Sequence, residues 1–234
     1  MNGPLPDWAP TRAPGLPAEG LRERKKRLMR QQLSDTATAM FLERGFDGVR
    51  VAEVAAACGV SEKTVFNYFP VKEALVMDRL EATLAALSAG LSDPGLTPVE
   101  AALRVLGQEL GAMTGLLAVQ EDAARARAAV RRFGDLIRAT PSLRAYQADM
   151  TDQAVSAAAG VLAARAGTAA DAPEPQIAAR ALLGLWRVQA DSLRRHLDRA
   201  ATPALLREQV TADVRRAARL IDTGLRGFAA PPEP

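Results

Sequence analysis

Val51-Ala52-Glu53-Val54-Ala55-Ala56-Ala57-Cys58-Gly59-Val60-Ser61-Glu62-Lys63-Thr64-Val65-Phe66-Asn67-Tyr68-Phe69 is the stretch on which the reading of this chain turns. Its spacing predicts two short helical segments, Val51 to Cys58 and Glu62 to Phe69, separated by Gly59-Val60-Ser61. Small side chains at Ala55 and Cys58 let two helices approach closely, Gly59 can take a left-handed turn conformation, and Val60 plugs the angle between the helices. Ser61 is placed to cap the second helix. That helix turns Val65 and Phe69 inward and presents Glu62, Lys63, Thr64, Asn67 and Tyr68, as a helix must if its outer face is to lie in a major groove. A generic helical hairpin accounts for Gly59 and the apolar positions. It gives no reason for so polar and short a second helix, followed by an aromatic pair, Pro70 and Lys72.

Outward from this stretch the pattern is helical throughout. Leu28, Leu33, Ala37, Met40 and Phe41 recur at near-helical spacing between Arg22 and Arg44, with Gly45 as the C-cap. A basic cluster opens that helix: Arg22, Arg24, Lys25, Lys26, Arg27 and Arg30 against one acid, Glu23. It reads either as a solvated face or as an arm for DNA phosphates or the minor groove. Before it, five prolines and three glycines in residues 1–20 predict a disordered arm, taken to residue 21.

Pro70 and Lys72 open a further helix to about Ser88, and Thr97-Pro98-Val99-Glu100 reads as a capping box with proline at the first helical position. Thr140-Pro141 and Thr202-Pro203 start helices the same way. Ala172-Pro173-Glu174-Pro175 reads as an interruption before a long helix from Gln176 to about Leu197, and the last helix runs from Pro203 to about Leu225. The expectation is an all-α chain of about nine helices: a three-helix helix-turn-helix domain over 22–76, a helical ligand-binding and dimerisation domain over 77–228, and a disordered tail over 229–234. The composition agrees, with 48% hydrophobic residues but only 4% aromatics.

With Phe41, Arg44-Gly45-Phe46, Val51, Val54-Ala55, Cys58-Gly59-Val60-Ser61, Thr64, Phe66, Tyr68-Phe69, Lys72 and Leu75 in this order and spacing, residues 30–76 resemble the TetR family of bacterial transcription regulators. The resemblance implies that Lys63, Thr64 and Asn67 face base edges or nearby phosphates and that Tyr68 gives its hydroxyl to a phosphate. Lys72 would pair with the backbone at the start of the fourth helix. Asn67 is the favoured base reader, since its amide can pair bidentately with adenine. Ser61 and Glu62 complete the surface. Two departures stand out: Phe66 occupies a position where the family often has tyrosine, and Arg50 replaces the usual Ser or Thr cap, leaving it either a phosphate contact or a surface arginine. Cys58 reads as tight core packing, with a redox switch as the alternative.

Beyond about Leu80 no motif is recognisable. By resemblance, the last two helices form a homodimer interface through the stripes Leu182, Leu185, Trp186, Leu193 and Leu206, Val210, Val214, Leu220, Ile221. Met113, Leu117, Phe133, Ile137, Tyr146, Met150 and Trp186 are the candidate ligand-pocket residues, and their apolar character favours a hydrophobic or amphipathic small molecule. The implied function is a repressor released from a palindromic DNA operator by such a ligand.

The remaining composition narrows the alternatives. One cysteine and one histidine, His196, argue against a disulfide and a metal site, and no cofactor is expected. The lack of a phosphate loop, nucleophile elbow or paired metal ligands argues against an enzyme. A helical carrier that has lost DNA binding is the other rival, against which Lys63, Thr64, Tyr68 and Lys72 speak. No apolar run is long enough to span a bilayer and no signal peptide is evident, so the expected compartment is the cytoplasm.

Overall fold

The computed structural model describes residues 20–223, and among them the chain forms α-helices only. They are α1 (Leu21–Arg44), α2 (Val51–Ala57), α3 (Glu62–Tyr68), α4 (Ala74–Gly90), α5 (Pro98–Ala118), α6 (Ala123–Ala139), α7 (Pro141–Ala166), α8 (Pro173–His196) and α9 (Pro203–Thr223). Of the arm expected over 1–21, residues 1–19 lie outside the described residues, as does the tail over 229–234, while Leu21 is not part of an arm but opens α1. The chain divides into two compact units. One joins the residues up to Glu81 with Val119–Ala148; the other joins Ala82–Ala118 with the residues from Asp149 onward.

In the first unit the helix boundaries follow the local chemistry. Gly45 ends α1 at φ +78°, and its N–H closes on the Phe41 carbonyl at 2.9 Å. Gly59, at φ +68°, makes the turn between α2 and α3, where the Val60 N–H returns to the Ala55 carbonyl at 3.0 Å. Leu33, Ala37, Phe41, Val49, Val54, Val65, Phe69 and Leu75 are buried together, and the Phe41 and Phe46 rings lie 5.0 Å apart. Leu28 departs from the expected stripe: it is 48% exposed. The apolar face of α1 begins to be used only at Met29 and Leu33, because nothing among the described residues covers the turns before them.

The start of α6 was missing from the sequence reading, although Asp122 marks it by accepting the Arg125 N–H at 2.8 Å. Ala172-Pro173-Glu174-Pro175 is not an interruption. Pro173 to Pro175 form the first turn of α8, where the missing proline N–H groups have no intrahelical partner to lose.

In the second unit α8 and α9 pack on α5 through Leu106, Leu110, Leu182, Leu183, Leu185, Leu206, Val210 and Val214. The Thr97–Glu100 capping box is complete: the Thr97 N–H donates to Glu100 at 2.9 Å and the Glu100 N–H to the Thr97 hydroxyl at 3.2 Å. These bonds hold the Glu100 carboxyl below its ordinary value. Arg165 on α7 donates to the carbonyls of Leu91, Asp93 and Leu96 at 2.7, 3.1 and 2.8 Å, tying down the loop between α4 and α5.

Two carboxylates in this unit meet opposite fates. Asp213 on α9 accepts from Ser192 (2.8 Å), Arg216 (2.7 Å), His196 (3.3 Å) and Arg195 (2.7 Å), and these donors hold it well below the usual carboxylate range. Glu109 on α5 has neutral donors only: Gln189 at 3.1 Å, with Thr83 and Trp186. Desolvation outweighs them and pushes its carboxyl up to about 7.

Since Glu109 binds its proton more tightly folded than unfolded, stability is lost as pH rises from the unfolded value of 4.5 through about 7. The loss amounts to at most about 3.5 kcal/mol at roughly 1.4 kcal/mol per pKa unit. Urea denaturation at pH 5 and pH 8 should show that Glu109→Gln narrows the gap between the two conditions. Parallel pH profiles for the variant and the native chain would refute the assignment.

Candidate nucleic-acid interface

The seven residues of α3 divide cleanly between an inner and an outer face. Val65 is fully buried and Phe69, just beyond the helix, is 1% exposed, while Glu62, Lys63 and Asn67 stand in solvent and Thr64 and Tyr68 are half-buried. Phe66 is 44% exposed. Ser61 caps the helix as its position predicts, accepting the Thr64 N–H at 3.1 Å and sharing a 2.8 Å hydroxyl contact with Thr64. Part of the hydrogen-bonding capacity of Ser61 and Thr64 is therefore used within the helix.

Arg50 caps α2 only in part. A guanidinium has no acceptor to offer, so the helix start is served by Glu53, which accepts the Arg50 N–H at 2.8 Å. Together with the Arg44 guanidinium at 2.7 Å, that bond lowers the Glu53 carboxyl to about 2. The Arg50 side chain remains 84% exposed.

Lys72 points inward. Its ammonium donates to the Phe46 carbonyl at 2.6 Å and lies 4.3 Å from the Phe46 ring centroid, an arrangement that braces the chain between α1 and α2. Cys58 is half-buried, with its sulfur 4.0 Å from the Gln32 carbonyl, as close helix packing requires.

Arg30 is the residue whose role the sequence did not disclose. Grouped by sequence with the basic cluster of α1, it is instead a hub inside the unit. It donates to the Tyr68 carbonyl at 2.9 Å, to Asp78 at 2.6 Å and to Glu81 at 3.0 Å, and its guanidinium lies 4.6 Å from the Phe69 ring centroid. One planar fork thereby joins α1, the C-terminal end of α3 and the first turns of α4. Its partners lie 38 to 51 residues away, so no local pattern could have revealed them.

The seven candidate pocket residues fall in different units. Phe133, Ile137 and Tyr146 belong to the first; Met113, Leu117, Met150 and Trp186 belong to the second, where Leu117 is buried and the other three are half-buried. A groove of about 540 Å³ along α5 and α9 is lined by other residues, among them Gly111, Thr114, Gly115, Arg207 and Arg215. Among the described residues no helix is long and apolar enough to cross a membrane, and no group of three His, Cys, Asp or Glu could hold a metal ion.

Comparison with known proteins places this geometry. Residues 33–78 match the family model of bacterial regulatory proteins of the tetR family, and residues 100–224 match that of the MftR C-terminal domain. The HTH-type transcriptional regulator TcmR of Streptomyces glaucescens is 30% identical over 211 residues, covering 84% of this chain and 91% of that protein. The HTH-type transcriptional regulator LuxR of Vibrio harveyi is 41% identical over 64 residues, covering 27% of this chain and 31% of that one. Among solved structures, the fatty acid degradation regulator FadR of Bacillus halodurans aligns at 14% identity with a TM-score of 0.45, over 90% of this chain and 99% of its own.

If Arg30 acts as a fork and not merely as a charge, Arg30→Lys should lose nearly as much stability as Arg30→Ala, on the order of 2 kcal/mol for charge-assisted bonds. Thermal unfolding of the two variants checks this. Full recovery of stability by lysine would show that charge alone suffices.

Proposed function

The chain belongs to the tetR family of bacterial regulatory proteins and is a DNA-binding transcriptional regulator; on that premise we propose that it is a homodimeric repressor, released from a palindromic operator by a small apolar or amphipathic ligand. The observation that carries the DNA-binding reading is the outer face of α3. It offers Glu62, Lys63 and Asn67 to solvent on a helix whose other side is sealed by Val65 and Phe69. Asn67 reads a base edge, Lys63 and Thr64 meet bases or phosphates beside it, and Tyr68 sets position through a phosphate. Ser61 holds the helix start, Arg50 supplies an exposed cation, and Lys72 braces the frame.

Dimerisation follows from the size of α3, since a helix of two turns spans only a few base pairs and a two-fold axis doubles the contact. Of the apolar stripes expected to meet across that axis, Leu182, Leu185, Leu206, Val210 and Val214 are buried in the unit's own core, while Trp186, Leu193 and Ile221 are half-buried and Leu220 is exposed. The outward face of α8 takes their place. Ile177 is 66% exposed, and Ala181, Gly184 and Val188 follow it at spacings of four, three and four, each half-exposed. A glycine in mid-helix costs about 1 kcal/mol relative to alanine, a cost that close approach of a partner helix offsets. Leu205 and Leu220 on α9 are exposed as well.

The effector binds in the C-terminal helical part, with Met113, Leu117, Met150 and Trp186 of the second unit as its apolar contacts. The ligand favours a conformation in which the two recognition helices no longer match successive major grooves, so DNA is released by a shift of population. The reducing cytoplasm is the fitting compartment for the single thiol, Cys58.

Selection of genomic fragments by the purified protein should enrich a palindromic site. Asn67→Ala should relax the preference at one base pair per half-site, by about 1–3 kcal/mol, whereas Tyr68→Ala should weaken binding evenly across sequences. Retention of bulk DNA with no enriched site would overturn the operator reading. Gly184→Glu tests the dimer: a Cβ there meets nothing within 4 Å in the protomer, so the fold should survive. Light scattering should then report a protomer where the native chain gives a dimer, and an unchanged mass would remove α8 from the interface.

A further inference from the structure

The first two turns of α1 stand clear of everything else described. Leu21 to Leu28 are exposed on every side, and Leu21 itself is 77% exposed. An isolated helix of this length would not persist in water. Here the nucleus already exists, because the same helix is packed from Met29 onward, and each preceding residue only extends it.

The six cations that look alike in sequence are put to different uses. Arg30 is spent on Tyr68, Asp78 and Glu81, and Arg27 is engaged within the chain. The side chains of Arg22, Arg24, Lys25 and Lys26 have no hydrogen-bond or ion-pair partner among the described residues. Arg22, Lys25 and Lys26 share one face at i, i+3 and i+4, and the nearest acid in sequence is Glu23. Such a concentration of charge repels itself and raises the local potential; a polyanion lowers both, displacing the mobile counter-ions that otherwise screen it.

The position of this rod relative to α3 is fixed by Arg30. Its bond to the Tyr68 carbonyl fastens α1 to the C-terminal end of the recognition helix. From there α1 runs on for eight residues to Arg22, about 12 Å at the rise of an α-helix. With α3 in a major groove, a rod of that length running toward the bordering phosphates brings its cations within side-chain reach of them.

We propose that Arg22, Arg24, Lys25 and Lys26 on the projecting turns of α1 form a second DNA contact, a sequence-independent clamp on the phosphates flanking the site read by α3. It rests on the DNA-binding reading above and deepens it: α3 selects, and the rod supplies affinity. The recognised chemistry is the phosphodiester backbone of duplex DNA, and the cations act through their own charge, with no part assigned to the helix terminus.

The test uses the full-length protein, a 40-base-pair duplex of arbitrary sequence, and the enriched genomic site. The variant R22Q/R24Q/K25Q/K26Q replaces four cations with a good helix former, and circular dichroism verifies that α1 is kept. Each phosphate contact contributes about 0.9 to the slope of log K against log salt. The variant should therefore flatten that slope by about 2 to 4 per protomer on both duplexes and lose at least tenfold in affinity near 0.15 M salt. Its ranking of operator variants should stay unchanged, whereas Asn67→Ala should alter the ranking and keep the slope. Equal slopes for the variant and the native chain, with binding intact, would overturn the clamp and leave the DNA-binding reading standing. Failure of the native chain to bind either duplex at low salt would overturn both.

Discussion

A helix of seven residues cannot hold itself in place, and the surface proposed to read DNA is such a helix. Too few backbone bonds close within α3 to repay its nucleation, so its position must be imposed from outside. Val65 and Phe69 anchor its inner side in the core, Ser61 fixes its start, and Arg30 fixes its end by capping the Tyr68 carbonyl while binding Asp78 and Glu81. Of these, Arg30 has the greatest reach, because one rigid guanidinium sets three helices at once. Any movement of α4 that drew Asp78 and Glu81 away would act directly on the fork that locates α3. The first unit thus carries a mechanical link from α4 to the recognition helix, made of charge-assisted bonds and not of apolar packing alone.

The second unit uses polar groups differently. Asp213 gathers Ser192, Arg195 and His196 from α8, and Arg216 from its own helix, so its charge is well satisfied and joins α8 to α9. Glu109 is packed against neutral donors, and what they give its charged form is less than its desolvation costs. The contrast shows why a carboxylate inside a helical bundle is not in itself stabilising. Its worth depends on whether the donors around it are cations.

Helix starts and turns were legible in the sequence because their causes are local. Pro98, Pro141 and Pro203 begin helices, Gly45 and Gly59 take positive φ where the spacing asked for it, and Ser61 caps α3. The inner and outer faces of α3 were legible for the same reason. What escaped was decided by distant partners. Arg30 is indistinguishable from Arg24 in sequence, yet residues 38 to 51 positions away turn one into a hub and leave the other exposed. Leu182, Leu185 and Val210 have the periodicity of an interface stripe, and only packing shows that α5 already covers that side. Pro173 and Pro175 could be read as a break or as a first turn, and the orientation of the following helix decides it.

The charge on α3 itself bears on how binding is divided. Its exposed face carries one cation, Lys63, and one anion, Glu62, so the helix brings almost no net attraction to a phosphate-lined groove. Phosphate contacts supply affinity, while base contacts supply discrimination at lower electrostatic gain. A recognition helix that is nearly neutral can discriminate well, because a wrong base is not masked by a large uniform attraction at the same point. The attraction must then come from elsewhere on the unit. Lys72 is drawn toward Phe46, and Arg44 and Arg50 share the one carboxylate of Glu53, which leaves the projecting turns of α1 as the main group of exposed cations among the described residues of the unit. If the projecting turns of α1 hold phosphates as proposed, affinity and selectivity reside on different helices, and one can be tuned without disturbing the other.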